Sequence, residues 1–254
     1  MPIVSTVAVC ALNEEQYVED CLASILAQTL SPSLVIVVVD RSNDKTEEMS
    51  RSILSGTKSL IIVKSQKRWR NSISENLEMA RETAVGDAFV IVDADMVLPL
   101  DFLERLLPQL ERFASVSAVA VTDPSPGFLN ALVFAWEKTH RFAPLGAQPR
   151  GGCRAVDMRA LNELGGFRDV ISWDTDLDFR FLSSGYLVKL DRRVKVLHKR
   201  KMTLQSSIAY QMAAGEARRE LGVGMFRTIL HAIFRLRPFV VCGYVRRNDG
   251  KKSG

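Results

Sequence analysis

The stretch AFVIVDADM, Ala88 to Met96, constrains this chain more than any other. Ala88 to Val92 is an unbroken apolar run that stops abruptly at two carboxylates one residue apart, Asp93 and Asp95. A short continuous run of this kind fits a strand covered on both faces, as in a parallel sheet. Acids just past its C-terminal end lie where open α/β sheets bind ligands. Two hard oxygen ligands there suit Mg2+ or Mn2+ shared with a substrate diphosphate. The same D-x-D also fits a strand end capped by solvated acids, so its surroundings must decide.

Those surroundings repeat one pattern. Ile3 to Leu12 reads as a strand, followed by Asn13, Glu14 and Glu15 and a helix with an apolar stripe of Tyr17, Cys21, Leu22, Ile25 and Leu26. Leu34 to Asp40 is a second buried strand ending in an acid. Ser42, Asn43 and Asp44 then offer caps to a helix over about 45–54. Leu60 to Val63 is a short third strand. A basic loop with Lys64, Lys67, Arg68 and Arg70 follows, then a helix to about Ala84, and Gly86-Asp87 turns the chain into the Ala88 strand. Strand and helix alternating in this way predict an α/β fold, a doubly wound and mostly parallel central sheet flanked by helices. No glycine-rich phosphate loop is present. A diphosphate would then be neutralised by a metal and by basic side chains, which makes the D-x-D and the Lys64–Arg70 loop complementary.

Beyond the D-x-D the spacing predicts a helix over 100–113, a strand over 116–121, a largely apolar helix over 128–142 and a Pro/Gly loop to Gly151-Gly152. A second carboxylate cluster follows in SWDTDLDFR, Ser172 to Arg180. Asp174 and Asp178 are four apart and share a helix face, and Leu177 and Phe181 pack inward. Asp174 falls at the first helical turn, where the dipole favours its charge. An N-cap and a surface Asp176–Arg180 pair would explain the same residues.

The order of these motifs is specific. VAVCALNEE (7–15), VVVDRSNDKT (37–46), VGDAFVIVDADM (85–96) and LGGFRDVISWDTDLDFRFLSSGY (164–186) together resemble the family 2 glycosyltransferases of the GT-A fold. The resemblance runs from about Val7 to Leu190. It implies an inverting, metal-dependent hexosyltransferase that moves a sugar from a UDP- or GDP-linked donor to a hydroxyl. Carried over by position, Ala11, Asn13, Glu14 and Asp40 would bind the nucleoside. Asp93, Ala94 and Asp95 would form the D-x-D that handles donor diphosphate and Mn2+ or Mg2+, with His198 as a further metal ligand. Arg68 and Arg70 would face the diphosphate. Asp174 would be the catalytic base, and Gly151, Gly152, Trp173 and Asp176 would contact the acceptor. The chain departs from the family pattern at Cys10 (usually Pro), Val39 (usually Asp) and Trp173 (usually Glu). Val97 stands where polyprenyl-phosphate mannose synthases carry a Gln ligand, although a polyprenyl-phosphate sugar synthase remains an alternative.

Charge is distributed unevenly. Residues 1–188 hold 18 Lys/Arg and 25 Asp/Glu, whereas residues 189–254 hold 16 and 4, within an overall charge of +5. A basic tail on an acidic body calls for an anionic partner. Residues 205–221 and 225–236 read as helices. In the second, Arg227, His231 and Arg235 recur on one face and Phe226, Ile229, Leu230, Ile233 and Phe234 fill the other. That suits a helix lying in anionic headgroups, or one docked on the body with its arginines in solvent. The expected organisation is a catalytic domain over 1–204, split into a nucleotide-sugar half (1–122) and an acceptor half (123–204), and a basic helical extension over 205–254. The acceptor would be a lipid-linked or membrane-borne glycan.

Cys10, Cys21, Cys153 and Cys242 lack metal-type spacing and read as reduced thiols. No signal peptide or spanning segment is evident. Together these features predict a cytoplasmic protein, peripheral on the inner face of the membrane. A sugar-1-phosphate nucleotidyltransferase would need a Gly-rich basic loop that is absent between Leu12 and Tyr17. A non-catalytic nucleotide- or nucleic-acid-binding module is the remaining alternative, but the run from Lys189 to Lys201 lacks interleaved aromatics, so no nucleic acid is expected.

Overall fold

The computed structural model of the protein describes residues 3–139, 152–201 and 203–246. The chain forms two units, Met1–Arg200 and Lys201–Gly254.

The first unit is built on one mixed sheet. Its strands are β1 (Ser5–Ala11), β2 (Leu34–Asp40), β3 (Ser59–Lys64), β4 (Ala88–Asp93), β5 (Met96–Val97), β6 (Ser115–Thr122), β7 (Cys153–Asp157) and β8 (Val188–His198), in the spatial order β3-β2-β1-β4-β7-β6-β8-β5. The β3-β2-β1-β4 half is parallel throughout, joined by right-sized crossovers through α1 (Val18–Leu26), α2 (Thr46–Ile53) and α3 (Ser72–Thr83). Beyond β4, β7 runs antiparallel to both β4 and β6, and the two-residue β5 pairs antiparallel with the end of β8. β6 and β8 are parallel, with an irregularity between Ala118 and Val119.

Period-two alternation sends the strand residues into two cores. Val7, Val9, Val35, Val37, Val90 and Val92 pack on Cys21, Leu22 and Ile25 of α1 and on Phe102 and Leu103. Ala8, Ile36, Val38, Phe89 and Ile91 face the opposite way. They meet Leu77 of α3, Leu161 of α6 (Met158–Glu163), and Trp173, Leu177 and Phe181 of α7 (Trp173–Ser183). Each Val, Leu, Ile or Phe among them, nearly all fully buried, contributes roughly 1.5–3 kcal/mol of transfer free energy.

Two sequence expectations change in detail. The helix expected over 100–113 is α4 (Phe102–Leu106) followed by a 3-10 turn, Leu107–Glu111. Pro108 cannot donate the hydrogen bond a continuous helix needs there. The strand-like VKVLH (194–198) is only the end of β8, which starts six residues earlier at Val188, two after Tyr186, because β6 pairs with it on both sides of the irregularity. The apolar helix expected over 128–142 is α5, described over Phe128–Thr139, and its remaining positions lie outside the described residues.

The second unit holds α8 (Leu204–Glu220), α9 (Met225–Phe234) and α10 (Phe239–Val245). The FVVCGYV segment is therefore itself helical, with Pro238 as its N-cap. Among the described residues, no helix is long and apolar enough to cross a membrane.

Candidate active site

The C-terminal ends of β1, β2 and β4 meet one another in register, Cys10 opposite Asp93 and Ala11 opposite Val39. Ala11 and Ala94 are buried, small residues that leave the strand ends open to their loops. The loops after β1 and β2 are laced together. Asn13, in the left-handed region at φ 55° where Asn is enriched, accepts from the Asn43 N–H at 2.8 Å and donates its own N–H to Ser42 Oγ at 3.0 Å. The Glu14 N–H reaches Thr46 Oγ1 at 2.7 Å and the Glu15 N–H reaches Asp44 Oδ2 at 3.1 Å. Asp44 also accepts from the Thr46 N–H at 3.0 Å, just ahead of Lys45, the N-cap of α2.

The D-x-D acids have different surroundings. Asp93 is half-buried, and its N–H donates to the Gly152 carbonyl at 2.8 Å. A Cβ on Gly152 would run into the Asp93 carboxylate, so only glycine lets the backbone of β7 pass that close. Burial, and next the Asp95 charge, push Asp93 up to about 7, with His198 and Arg200 pulling the other way. Asp95 is buried. Its Oδ2 meets His198 Nε2 at 3.0 Å and Arg200 Nε at 2.5 Å. Burial opposes its charge, but these two partners outweigh burial and hold it below the usual carboxylate range. His198 is raised in turn: burial works against its cationic form, and the hydrogen bond and charge of Asp95 prevail. β5 makes this meeting possible, because its pairing sets Met96 opposite His198 and the Lys199 N–H on the Asp95 carbonyl at 2.9 Å.

Arg200 also bonds Glu14 and lies over the Tyr17 ring, 5.6 Å from its centroid. Glu14 is buried and raised chiefly by that burial, against the pull of Arg200, and its Oε2 has no hydrogen-bond partner among the described residues. A guanidinium thus bridges two carboxylates at the very point where a divalent cation would be expected. Among the described residues no three His, Cys, Asp or Glu side chains form a ready-made cage. One carboxylate and one imidazole in contact, with a second acid one residue away, suit an ion that takes its remaining oxygens from a diphosphate. The residues present fit such a metal.

Arg200 was not singled out by the sequence, and neither was Arg154. Arg154 is fully buried on β7, two residues after Gly152, opposite Ile91. Its Nη atoms donate to both oxygens of Asp178, at 3.1 and 3.2 Å, and its guanidinium lies 5.6 Å from the Trp173 ring. By alternation Gly152, Arg154, Ile91 and Asp93 share one face of the sheet, and α7 packs on that face. The first turn of α7, with half-buried Asp174, therefore stands over the face that carries Asp93. The Thr175 N–H donates to Asp174 Oδ1 at 2.8 Å. Trp173 is buried against Phe167, rings edge-on at 5.8 Å, and is engaged in packing. Asp176 is held by Arg180 at 2.8 Å, and Arg180 in turn bonds the Leu164 and Gly166 carbonyls. Both residues thus brace α7. Gly151 lies outside the described residues.

Asp40 is likewise committed within the protein. It accepts from Arg41 Nε at 2.7 Å and Asn76 Nδ2 at 3.2 Å and pairs with buried Lys64 at 3.3 Å. Burial alone would raise it, but these three partners keep it low. Lys64 continues to Glu75 at 3.1 Å, and Glu75 accepts the Arg68 and Trp69 N–H groups. Asp169 accepts those of Arg70 and Asn71. The basic loop is thereby fixed through its backbone, with the Arg68 and Arg70 side chains exposed.

Residues 6–151 match the model of glycosyl transferase family 2. An uncharacterized glycosyltransferase of Haemophilus influenzae is 28% identical over 118 residues, 46% of this chain and 36% of that protein, so the match spans about a third of the relative's length. A mannosyltransferase from Pyrobaculum calidifontis, solved with GDP-mannose and Mn2+, superposes with a TM-score of 0.68 at 23% identity, over 96% of this chain and 70% of that one. A glucosyl-3-phosphoglycerate synthase from Mycobacterium tuberculosis, solved with Mn2+, UDP-glucose and phosphoglyceric acid, gives 0.62 at 20% identity, over 88% and 81%. These likenesses show a shared GT-A fold. With more than half of its length matched by the family model, the chain belongs to glycosyl transferase family 2.

Proposed function

We propose that the chain is an inverting hexosyltransferase that moves a sugar from a UDP- or GDP-linked donor to a hydroxyl acceptor, probed first with lipid-linked and membrane-borne glycans. The observation that carries this reading is the common sheet face of Asp93, Gly152, Arg154 and the first turn of α7. That shared face supports reading the D-x-D as the leaving-group end and the first turn of α7 as the base-bearing end of one site.

The laced β1 and β2 loops, with Asn13 and Glu14, form the wall for the nucleoside, and Asp40 stiffens that wall through Lys64 and Asn76. Asp93, Asp95 and His198 would hold Mn2+ or Mg2+, which when bound supplies positive charge to the departing diphosphate. Arg68 and Arg70, exposed on a loop fixed by Glu75 and Asp169, add donors for the same charge. Asp174 takes the proton of the acceptor hydroxyl as that oxygen attacks the anomeric carbon from the side opposite the diphosphate, which inverts configuration. The bond broken is between the anomeric carbon and diphosphate oxygen, and the nucleoside diphosphate leaves with that electron pair. Trp173 and Asp176 keep the base in place through Phe167 and Arg180.

The test is a screen of UDP- and GDP-sugars, with and without Mn2+, for hydrolysis and for transfer. Asp174→Asn should bind donor as the wild type does and lose transfer by about a hundredfold or more, the range of general-base catalysis. Wild-type turnover in that variant would remove Asp174 from the reaction.

A further inference from the structure

The second unit is put together with its apolar side outward. α8 and α10 touch backbone to backbone, since a Cβ on Gly215 would overlap the Val240 carbonyl and one on Gly243 the Met212 carbonyl. Arg219 Nη1 donates to the Tyr244 carbonyl at 3.0 Å and the Tyr244 hydroxyl to the Val223 carbonyl at 2.8 Å, closing the helices on one another. α9 turns Thr228 and Ala232 inward, and both are buried. Arg218 Nε donates to Thr228 Oγ1 at 3.3 Å. The bulky residues point away: Phe226 is 73% exposed, Ile233 62%, Phe234 56% and Leu236 73%. Ile229, Ala232, Ile233, Leu236, Pro238 and Val241 line an open trough of about 480 Å³.

A helix covering a water-soluble core turns its bulky face inward and its small or polar face to solvent. α9 does the reverse. Contiguous apolar surface of this kind, rimmed by polar residues, marks an interaction site. The segment is basic in composition: residues 201–254 carry ten Lys/Arg against three Asp/Glu. Arg227, next to Phe226 on α9, is exposed. Charge complementarity therefore selects an anionic occupant with an apolar interior.

We propose that this face of α9, continued by Leu236 and Phe239, docks on an anionic phospholipid surface, the apolar side chains entering the acyl boundary and the arginines staying among the headgroups. The proposal uses no residue of the transfer site and stands or falls apart from it.

The experiment is flotation of the full chain with vesicles of equimolar phosphatidylglycerol and phosphatidylcholine, against vesicles of phosphatidylcholine alone. The expected result is binding to the anionic vesicles that weakens as salt rises, and little binding to the neutral ones. Phe226→Ser with Ile233→Ser should lower anionic-vesicle affinity at least about tenfold, because both side chains would leave the acyl boundary. Both positions are exposed, so the helical circular dichroism and the slow donor hydrolysis in lipid-free buffer should stay at wild-type level. Unchanged vesicle binding in the double variant would overturn the proposal. So would a wild type that ignores vesicles and forms a concentration-dependent dimer abolished by the double variant, since a second copy would then cover the face.

Discussion

Replacing Arg154 with Met should damage both stability and transfer, in a way that depends on pH. Arg154 is fully buried, and its bidentate pair with Asp178 is the partner that allows a 7%-exposed carboxylate to ionise. Asp178 is already raised, first by burial and also by Asp174, with Arg154 alone pulling it down. Without the guanidinium, a buried charge is left uncompensated, which typically costs about 3–5 kcal/mol. For a domain of this size that is a fall in Tm of roughly 6–20 °C. The sign with pH follows from proton linkage. An acid whose folded pKa lies above its unfolded value, here 3.8, makes the folded state bind the extra proton, so stability falls as pH rises between the two. The variant widens that interval by raising the folded pKa further. Its deficit against wild type should therefore be smallest near pH 4 and grow toward neutrality, by about 1.4 kcal/mol for each unit of additional shift.

Urea denaturation of the wild type, Arg154→Met, Asp178→Leu and the double variant, at pH 5 and pH 8, measures this directly. The double variant should recover most of the loss, because an apolar pair can replace a buried ion pair at little cost. Transfer should remain low even where stability recovers, since Arg154 also seats Trp173 beneath Asp174. Additivity of the two single variants within about 0.5 kcal/mol would mean that the side chains are not coupled, and a pH-independent deficit would mean that the Asp178 charge is not what Arg154 compensates.

Other outcomes follow from the same contacts. Gly152→Ala, whose methyl meets the Asp93 carboxylate, should cost about 1–3 kcal/mol as an overpacked site and weaken donor binding measured by calorimetry. His198→Ala removes the imidazole 3.0 Å from Asp95 and should lower Mn2+ affinity, read by electron paramagnetic resonance, by at least about tenfold, the scale of a lost metal-site group. Asp40 and Glu75 are both held below their ordinary values, in each case against burial, so they add stability above their unfolded pKa that is lost as pH falls through the folded one. Lys64→Met removes a cation shared by both and should move the acid-unfolding midpoint, followed by circular dichroism, to higher pH.

Local patterning made much of the nucleotide-binding half legible. β1, β2 and β4 are continuous apolar runs, and their acids stand at the strand ends where the sheet opens. Asp93, Asp95 and His198 were named from their positions, and the fold brings the last two into contact. What the sequence hid depends on pairing between distant segments. Asp178 reads only as sharing a helix face with Asp174 one turn away, yet it is buried because Arg154 arrives from an antiparallel strand that no local period predicts. The one available signal was a lone Arg inside the apolar CRAVD strand. Arg200 reads as part of a basic surface run until β5 pins β8 beside the D-x-D. Asp40 reads as a base-binding acid, but its oxygens are taken by residues 41, 64 and 76, whose convergence is a matter of register. α9 shows the right periodicity in sequence, but which face turns inward is decided by what it packs on.

The central claim is that the D-x-D end of β4 and the first turn of α7 serve one reaction from its two sides. The most direct measurement compares Asp95→Asn and Asp174→Asn for Mn2+-dependent binding of the donor nucleoside diphosphate and, separately, for sugar transfer. The account predicts that Asp95→Asn loses binding and transfer together, whereas Asp174→Asn keeps binding and loses only transfer. Equal effects of the two substitutions on binding, or full transfer by Asp174→Asn, would contradict it.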